Sequence, residues 1–215
     1  MVLLFIGPSG SGKDTQGNLL DKNYEYRTIS SGDVLRAEVA RGSEIGDEID
    51  KTMNEGKWVP DAITYALLEQ HMENVHNGNI ILTGVVRTVE QIPMLDTMLK
   101  RRGKKLDRVV YFKLEDEEAV KRLSNRWYAK DGTIYHSIYN PPKEEGIHDA
   151  DGSPLFQRED DKPDAIKERL KQFHETNKPI LDTYEDRGIL LTVDAAPSIE
   201  KINKVLVKEL GLTKE

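Results

Sequence analysis

The chain has 215 residues, 37% of them hydrophobic and 32% charged, which is enough for one compact domain with insertions. Its net charge of −7 argues against a nucleic-acid partner, and the absence of cysteine excludes disulfides, thiolate metal sites and a cysteine nucleophile. The apolar run Val2–Ile6 is too short for a signal peptide or a membrane span, so we expect a cytoplasmic protein that binds no membrane.

Short apolar runs alternate with longer amphipathic stretches along the chain. Consecutive apolar positions indicate strands covered on both faces, and we predict strands at Val2–Ile6, Tyr26–Ile29, Asn79–Thr83, Arg108–Lys113 and Ile189–Val193. We predict helices at Thr15–Asp21, Asp33–Arg41, Ser43–Glu55, Ala62–Val75, Val89–Arg102, Glu115–Arg126, Asp164–Asp186 and Ser198–Glu209. This alternation is typical of an α/β fold with a parallel sheet and right-handed crossovers.

A glycine-rich turn follows the first strand and opens into a helix, with the sequence Gly-Pro-Ser-Gly-Ser-Gly-Lys-Asp-Thr at positions 7–15. The glycines let successive backbone N–H groups point at phosphate oxygens, and the helix start adds its positive end. Lys13 supplies a charge for the β- and γ-phosphates. A tight turn without a ligand is the alternative, but the complete strand–loop–lysine–helix pattern predicts a phosphate site.

The stretch from Arg126 to about Asp161 shows no helical period and contains clusters of Gly, Pro and Asp. One interpretation is a disordered surface insertion. However, the stretch has apolar residues of its own, which are Ile134, Tyr135, Ile138, Tyr139, Leu155 and Phe156. These favour a small folded flap. Because flaps often close over substrates that must be kept from water, we expect a lid.

Four further blocks follow the glycine-rich turn. They are Ser-Ser-Gly-Asp-Val-Leu-Arg at 30–36, Gly-Lys-Trp-Val-Pro-Asp at 56–61, Gly-Val-Val-Arg-Thr at 84–88 with Gln91, and a long block with Tyr-His at 135–136, Asn-Pro-Pro at 140–142 and arginines at 122, 126, 158 and 169. In this order and spacing, the blocks resemble the adenylate kinase family over nearly the whole chain. The resemblance implies a P-loop NTPase-type core with a parallel five-stranded sheet flanked by helices, together with two insertions. It places the core at 1–29, 60–121 and 160–215, a helical AMP-binding flap at 30–59, and the lid at 122–159.

The resemblance also implies an activity: reversible, Mg²⁺-dependent, direct in-line transfer of a phosphoryl group from ATP to AMP by a monomer. Residues expected to act on the transferring phosphates are Lys13, Arg87, Arg126, Arg158 and Arg169. Residues expected to bind ATP are Gly10, Ser11, Gly12, Lys13, Asp14, Thr15, Arg122, Arg126, Ile134, Tyr135 and Pro197. Residues expected to bind AMP are Ser31, Arg36, Lys57, Trp58, Val59, Gly84, Val85, Val86, Arg87, Gln91, Arg158 and Arg169. Arginine suits this chemistry because its planar fork grips oxygens over which the transferred charge spreads.

Several positions depart from the family's usual pattern. An acidic residue usually precedes the acceptor-loop glycine, where this chain has Thr83, and a glycine usually follows the P-loop lysine, where it has Asp14. We interpret the pair as a transposed carboxylate for Mg²⁺, with Asp14 and Thr15 as candidate metal residues. The rival interpretation is that Asp14 repels the donor phosphates. Val86 also replaces a proline before Arg87, which removes a rigid turn.

The lid of many relatives binds Zn²⁺ through four cysteines or carries a polar network there. The equivalent positions in this chain are Asp131, His148 and Asp151, with Ala129 or its neighbour as the fourth. Carboxylates without cysteine make a poor structural zinc site, so we expect hydrogen bonds instead. Two alternative functions stay open: a related nucleoside monophosphate kinase with a GTP donor or another acceptor, and a catalytically impaired nucleotide-binding regulator.

Overall fold

The computed structural model of the protein describes residues 1–73 and 78–213. The strands in this part of the chain are β1 Val2–Ile6, β2 Tyr26–Ser30, β3 Asn79–Thr83, β4 Arg108–Lys113, β5 Arg126–Tyr128, β6 Ile134–His136 and β7 Leu190–Asp194. Five of them form a parallel sheet in the order β2-β3-β1-β4-β7, which confirms the predicted α/β fold.

Helices precede or follow the strands as the sequence pattern predicts. They are α1 Lys13–Tyr24, α2 Ser31–Ala40, α3 Glu44–Asn54, α4 Asp61–Glu73, α5 Gln91–Arg101, α6 Asp116–Ser124, α7 Pro163–Asp186 and α8 Ile199–Glu209. The predicted end of the helix Ala62–Val75 lies outside the described residues. Arg126 was predicted at a helix end but lies in β5, because α6 stops at Ser124, whose carbonyl accepts a hydrogen bond from the Gln157 side chain.

Strand β1 lies at the centre of the sheet, and all of its side chains are buried. Leu4 and Ile6 pack into a core on one face, whereas Leu3 and Phe5 pack into a core on the other. This burial on both faces explains the consecutive apolar residues in the sequence. After β1 the chain continues to β2 and β3 on one side of β1, and it later reaches β4 and β7 on the other side. A crevice therefore opens at the carboxyl end of β1.

The register of the sheet brings two loops together at this crevice. Phe5 of β1 pairs with Thr83 of β3, so the glycine-rich turn and the loop after β3 leave the sheet side by side. Helices α2 and α3 form a separate small core of Leu35, Ile49 and Val59 beside the crevice. The crevice is therefore bounded by the sheet on one side and by this pair of helices on the other.

The stretch between α6 and α7 folds on its own core. Strands β5 and β6 form an antiparallel hairpin, and Ala129, Tyr135 and Leu155 pack together with Trp127 at its side. A single turn of 3₁₀ helix at Glu159–Asp161 leads into α7. The predicted folded flap is present. Across residues 1–73 and 78–213, none of the helices has the length and apolar character needed to cross a membrane.

Candidate active site

The glycine-rich turn adopts a backbone that only glycine tolerates easily. Gly10 and Gly12 have φ angles of 84° and 81°, in the left-handed region. A Cβ at Gly10 would also lie 2.9 Å from the carbonyl oxygen of Ala119. The N–H of Ser11 donates to the Pro8 carbonyl at 3.2 Å, while its own hydroxyl is buried without a hydrogen-bond partner. The turn thus curls tightly into the first turn of α1.

Lys13 is the first residue of α1, and its Nζ donates to the Pro8 carbonyl at 3.3 Å. Burial lowers the pKa of Lys13, the neighbouring Asp14 carboxylate opposes this, and the charges of Arg169 and Arg87 lower the pKa further. Several cations therefore gather here at an electrostatic cost. A polyanion bound among them would remove that cost.

Asp14 lines the same crevice and contacts the end of β3. The hydroxyl of Thr83 donates to Asp14 Oδ1 at 2.5 Å. Burial on its own would raise the pKa of Asp14, but the charge of Lys13 and the hydrogen bond from Thr83 outweigh it, so the pKa lies below its usual value. The carboxylate is therefore ionised at neutral pH. Thr15, the other predicted metal residue, is an exposed residue of α1 that does not line the crevice.

Arg87 lies over the loop that follows β3. Its Nε donates to the Gly84 carbonyl at 3.1 Å and its Nη2 donates to the Ser31 hydroxyl at 3.3 Å. That hydroxyl in turn donates to the Gly84 carbonyl at 2.6 Å. Burial, together with the charges of Arg169 and Arg36, lowers the pKa of Arg87 to about 10. Because its hydrogen bonds go to neutral oxygens, its charge remains available to an anion.

Hydrogen bonds replace the proline that the loop lacks before Arg87. The side-chain oxygen of Gln91 accepts from the Arg87 backbone N–H at 2.5 Å, and the Tyr65 hydroxyl donates to the Val85 carbonyl at 3.0 Å. The side chains of Val85 and Val86 are buried in the core beneath. The loop is therefore held at both ends, and Arg87 keeps a defined direction.

The segment 30–59 forms the wall opposite the sheet. Arg36 lines the crevice from α2 and pairs with Asp33 at 2.6 Å. Lys57, Trp58 and Val59 line it from the segment's end, where Lys57 pairs with a neighbouring glutamate at 2.8 Å. Val59 is buried and Trp58 is half-buried. Cationic and apolar groups thus alternate along this wall.

Asp161 binds two arginines from different elements. Arg126 of β5 donates to it from Nε at 3.0 Å and from Nη2 at 2.8 Å. Arg169 of α7 donates to Asp161 Oδ1 at 3.2 Å and to the Asp160 carbonyl at 2.7 Å. Burial would raise the pKa of Asp161, but the charge of Arg126 outweighs it and the pKa is lowered. The lid and α7 are thereby joined through one buried carboxylate.

Arg158 is held in a different way. Its Cζ lies 3.6 Å from the centroid of the Tyr128 ring, in a cation–π contact. Burial lowers its pKa, and the positive charge of Arg36 across the crevice lowers it further. Arg158 therefore lies between the lid and the segment 30–59, and charged groups of both affect its pKa.

Arg122 lies near the loop after β7. Its Nη1 and Nη2 donate to the carbonyls of Ala195 and Ala196 at 2.9 and 3.0 Å, and its Nε pairs with Glu118 at 2.8 Å. Pro197, predicted to bind ATP, is the next residue of this loop and is exposed. Arg122 therefore contacts the loop that contains Pro197, and neither residue lines the crevice around Arg87.

The lid residues predicted to contact the donor face different surroundings. Ile134 is 45% exposed, whereas Tyr135 is buried in the core of the lid. The Tyr135 hydroxyl is 2.9 Å from His148 Nδ1 and also accepts from the Asp149 backbone N–H at 3.1 Å. Because the Tyr135 side chain is used inside the lid, a donor could contact the exposed Ile134 side chain or the backbone at 134–135.

Comparison with known proteins agrees with this geometry. The family described as adenylate kinase matches residues 5–189. The chain is 38% identical over 213 residues to an adenylate kinase of Fervidobacterium nodosum, covering 98% of each chain. It is 38% identical over 206 residues to one of Archaeoglobus fulgidus, covering 95% of each, and 36% identical over 211 residues to adenylate kinase 4 of Arabidopsis thaliana, covering 97% of this chain and 86% of the relative. The chain belongs to the adenylate kinase family.

The crevice of this adenylate kinase family member brings together about half of the predicted residues. Those that line it are Lys13, Asp14, Ser31, Arg36, Lys57, Trp58, Val59, Gly84, Val86, Arg87 and Arg169. Predicted residues that do not line it are Gly10, Ser11, Gly12, Thr15, Val85, Gln91, Arg122, Arg126, Ile134, Tyr135, Arg158 and Pro197. Arg126 and Arg158 nevertheless remain within the electrostatic reach of Lys13 and Arg36, respectively.

Other residues of the site were not among the predicted ones. Phe173, Thr176 and Asn177 of α7 line the crevice, and Asp161 organises two of the arginines. A signal for Asp161 existed, since an acidic pair closely follows Arg158 in the sequence. No local pattern marks the three α7 residues, because a long amphipathic helix presents many such positions and only the tertiary packing selects among them.

The lid contacts around His148 are hydrogen bonds and the close approach of a carboxylate. His148 is buried, its Nδ1 meets the Tyr135 hydroxyl, and its Nε2 is 3.4 Å from Asp131 Oδ2. Asp151 accepts from the Ser153 backbone N–H at 2.9 Å. In the ranges 1–73 and 78–213, His, Cys, Asp and Glu side chains form no cluster of three or more suited to a metal ion.

Proposed function

We propose that the chain catalyses the reversible transfer of the γ-phosphoryl group of ATP to AMP, yielding two ADP. The observation that carries the proposal is the placement of Lys13, Arg87 and Arg169, from three distant parts of the sequence, around one crevice. Burial and mutual repulsion lower the pKa of Lys13 and of Arg87. The empty site therefore has an unfavourable electrostatic energy, which a bound polyanion would relieve.

The donor phosphates would bind the turn at 7–15. Backbone N–H groups around Gly10 and Gly12 and the start of α1 supply dipoles that favour anions, and Lys13 adds a full charge. The adenine would then extend toward Arg122 and Pro197, at the loop after β7. Support for this direction comes from Arg122 of α6, which donates to two carbonyls of that loop.

The acceptor would bind between the loop after β3 and the segment 30–59. Arg87 and Arg36 would bind the AMP phosphate, since both line the crevice there and the charge of Arg36 lowers the pKa of Arg87. Val59, Trp58 and the Ser31 hydroxyl provide apolar and polar contacts for the nucleoside. This division places the two nucleotides on opposite sides of Asp14 and Arg169.

Asp14 would orient the Mg²⁺ of the donor complex. Its ionised carboxylate faces the crevice with Oδ1 anchored by Thr83, and hard oxygen donors of this kind are those that Mg²⁺ prefers. When bound, Mg²⁺ neutralises charge between the β- and γ-phosphates. A carboxylate beside bare phosphates would repel them, so the fit of Asp14 depends on this cation. Thr15 remains a second candidate from the sequence pattern.

Transfer would proceed in line, without a phosphoenzyme. An oxygen of the AMP phosphate attacks the γ-phosphorus, the bond from that phosphorus to the β,γ-bridging oxygen breaks, and ADP leaves. Arg126 and Arg169, held by Asp161, and the separately held Arg158 would stabilise the charge on the transferring group. Closure of the lid would keep out water that could hydrolyse ATP. The predicted monomeric state and cytoplasmic location belong to the same proposal.

A coupled assay for ADP formation from ATP and AMP tests this function. We expect turnover with AMP to exceed turnover with UMP, CMP or GMP, and ATP to exceed GTP as donor. Lys13→Met should abolish turnover, whereas Lys178→Met, which alters an exposed ion pair on α7, should not. Undetectable turnover with preserved ATP binding would instead support the nucleotide-binding regulator, for which Asp14, Thr83 and Val86 are the specific arguments.

A further inference from the structure

The guanidinium of Arg158 rests on an aromatic face. Its Cζ lies 3.6 Å from the Tyr128 ring centroid, and Arg126 Cζ lies 5.3 Å from the same centroid. Within residues 1–73 and 78–213, no carboxylate or carbonyl oxygen forms a hydrogen bond or ion pair with this guanidinium. Arg126 and Arg169, by contrast, both bind Asp161.

This difference has a chemical consequence. A carboxylate partner would occupy N–H donors of the arginine and neutralise part of its charge, so an incoming phosphate would have to compete with it. An aromatic face attracts the cation through the ring quadrupole and leaves all of the in-plane N–H donors free. Arg158 is thus held in one place yet remains fully able to bind an anion.

The position of Tyr128 is defined by its surroundings. It is 1% exposed, and its backbone exchanges hydrogen bonds with Phe156 at 2.8 and 2.9 Å. Arg158 follows Phe156 by two residues and has an extended backbone, and the rings of Phe156 and Tyr128 lie 6.1 Å apart. The strand pairing therefore carries Arg158 onto the ring.

The same residue also contacts the other arginine group. The Tyr128 hydroxyl donates to Asp161 Oδ2 at 3.1 Å, on the carboxylate that binds Arg126 and Arg169. The ring of Tyr128 thus supports one cation, and its hydroxyl helps to fix the anion that orients two more. No other described residue contacts both Arg158 and Asp161 by side chain in this way.

We propose that Tyr128 is a positioning residue for phosphoryl transfer, whose ring holds Arg158 in place with its N–H donors free while its hydroxyl anchors Asp161. The residue does not touch substrate and acts through the arginines. The proposal rests on the proposed role of Arg158 at the transferring phosphates. It also explains why so large an aromatic side chain is buried at the base of the lid hairpin, apart from the core formed by Ala129, Tyr135 and Leu155.

The test compares Tyr128→Phe, Tyr128→Leu, Arg158→Ala and the double variant Tyr128→Leu/Arg158→Ala, with kcat, both KM values and the melting temperature measured for each. We expect Tyr128→Phe to keep kcat within about 3-fold of the wild type, because the ring remains. We expect Tyr128→Leu to lower kcat by about 10- to 30-fold, the range of a desolvated cation–π contact. Tyr128→Met, which fills a similar volume without a ring, serves if the leucine variant does not fold.

The double variant decides between positioning and mere packing. If the ring of Tyr128 acts through Arg158, the double variant is slower than Arg158→Ala by no more than the factor lost in Tyr128→Phe, which measures the hydroxyl on Asp161, whereas independent packing defects multiply. Multiplying losses, or a Tyr128→Phe variant as slow as Tyr128→Leu, would overturn the proposal. Full activity of Arg158→Ala would instead overturn the proposed role of Arg158 itself. Tyr184→Leu is the matched control: it removes a fully buried tyrosine below Arg187, 5.5 Å from its ring, and should lower stability without lowering kcat.

Discussion

The hydroxyl of Thr83 donates a 2.5 Å hydrogen bond to Asp14 Oδ1, which joins the end of β3 to the first turn of α1. The two positions that depart together from the usual family pattern are therefore direct neighbours in space. A carboxylate on either residue would reach almost the same point of the crevice. The contact supports the interpretation that the negative charge has moved from the strand end to the phosphate loop.

Replacing Asp14 tests this interpretation. We expect Asp14→Gly to lower kcat by about 10- to 100-fold, the usual effect of losing an outer-shell residue at a metal site. Adding Thr83→Asp to that variant should restore most of the activity, because the charge returns to the same place. The measurement is turnover as a function of Mg²⁺ concentration, which should need more Mg²⁺ in Asp14→Gly than in the double variant.

Thr83→Val is the control, since it removes the hydrogen bond and leaves the Asp14 charge in place. We expect a loss of less than about 10-fold, because water can replace the hydroxyl and offset most of the about 1.5–3 kcal/mol that a hydrogen bond to a charged group contributes. A faster enzyme after Asp14→Gly would show that Asp14 repels the donor and that the transposition hypothesis is wrong.

The side-chain amide of Gln91 should govern acceptor affinity. Its oxygen accepts from the backbone N–H groups of Arg87 and Thr88, and it thereby replaces a proline turn. Gln91→Ala removes both hydrogen bonds, so we expect the KM for AMP to rise by about 10- to 30-fold. The KM for ATP should stay within about 2-fold, because the proposed donor site lies on the other side of Asp14. Steady-state kinetics with each nucleotide varied in turn measures both values.

Gln172→Ala provides a matched control for this change. Gln172 is a partly buried glutamine of α7 whose side chain bonds only to Glu168 within the described residues, and its loss should alter neither KM. Equal increases in the KM values for AMP and ATP after Gln91→Ala would contradict the expectation, because they would indicate a general loss of structure rather than a misdirected Arg87.

The sequence predicts those features of the structure that short local segments determine. Strand β1 is buried on both faces, so its apolar run Val2–Ile6 identifies it directly. The turn at 7–15 needs glycine at Gly10 and Gly12 because of their positive φ angles, and this requirement is visible in the sequence. The fold and the phosphate turn were therefore predictable from short segments.

Other features depend on partners that are distant along the chain. In the sequence, Arg126 continues a helical pattern. In the structure it lies in β5, because this strand pairs with β6 and the Arg126 guanidinium binds Asp161. Tyr128 and Arg158 lie near opposite ends of the lid sequence, yet their side chains are in contact. No local propensity encodes such pairings, so only the assembled structure reveals them.

The lid should depend on His148 for its order and should not need a metal ion. Removing the buried imidazole leaves the Tyr135 hydroxyl without one of its partners, at a cost of about 1–3 kcal/mol. We expect His148→Ala to speed hydrogen exchange of the lid backbone near Tyr135 and Leu155 while exchange in β1 stays unchanged. A zinc chelator should change neither rate in the wild type. Chelator-induced exchange in the lid would contradict the hydrogen-bonded arrangement.

Asp161 should make stability depend on pH in a defined direction. The carboxylate is fully buried and accepts hydrogen bonds from Arg126 and Arg169, and the charge of Arg126 outweighs burial and holds its pKa below the usual value. A carboxylate with a lowered pKa in the folded state contributes stability above its unfolded pKa of about 3.9 and loses it as the pH falls through the folded value. Asp161→Asn removes that contribution and leaves two half-buried arginines without their anion.

We therefore expect Asp161→Asn to lower the free energy of unfolding by about 3–5 kcal/mol at pH 7, and the difference from the wild type to shrink below about pH 4. Denaturant titrations at pH 7, 5, 4 and 3 measure it. Asp182→Asn, which alters an exposed pair with Lys178, is the control and should change stability by less than about 1 kcal/mol at every pH. A deficit for Asp161→Asn that is as large at pH 3 as at pH 7 would mean that the lost contribution is not the charge of Asp161.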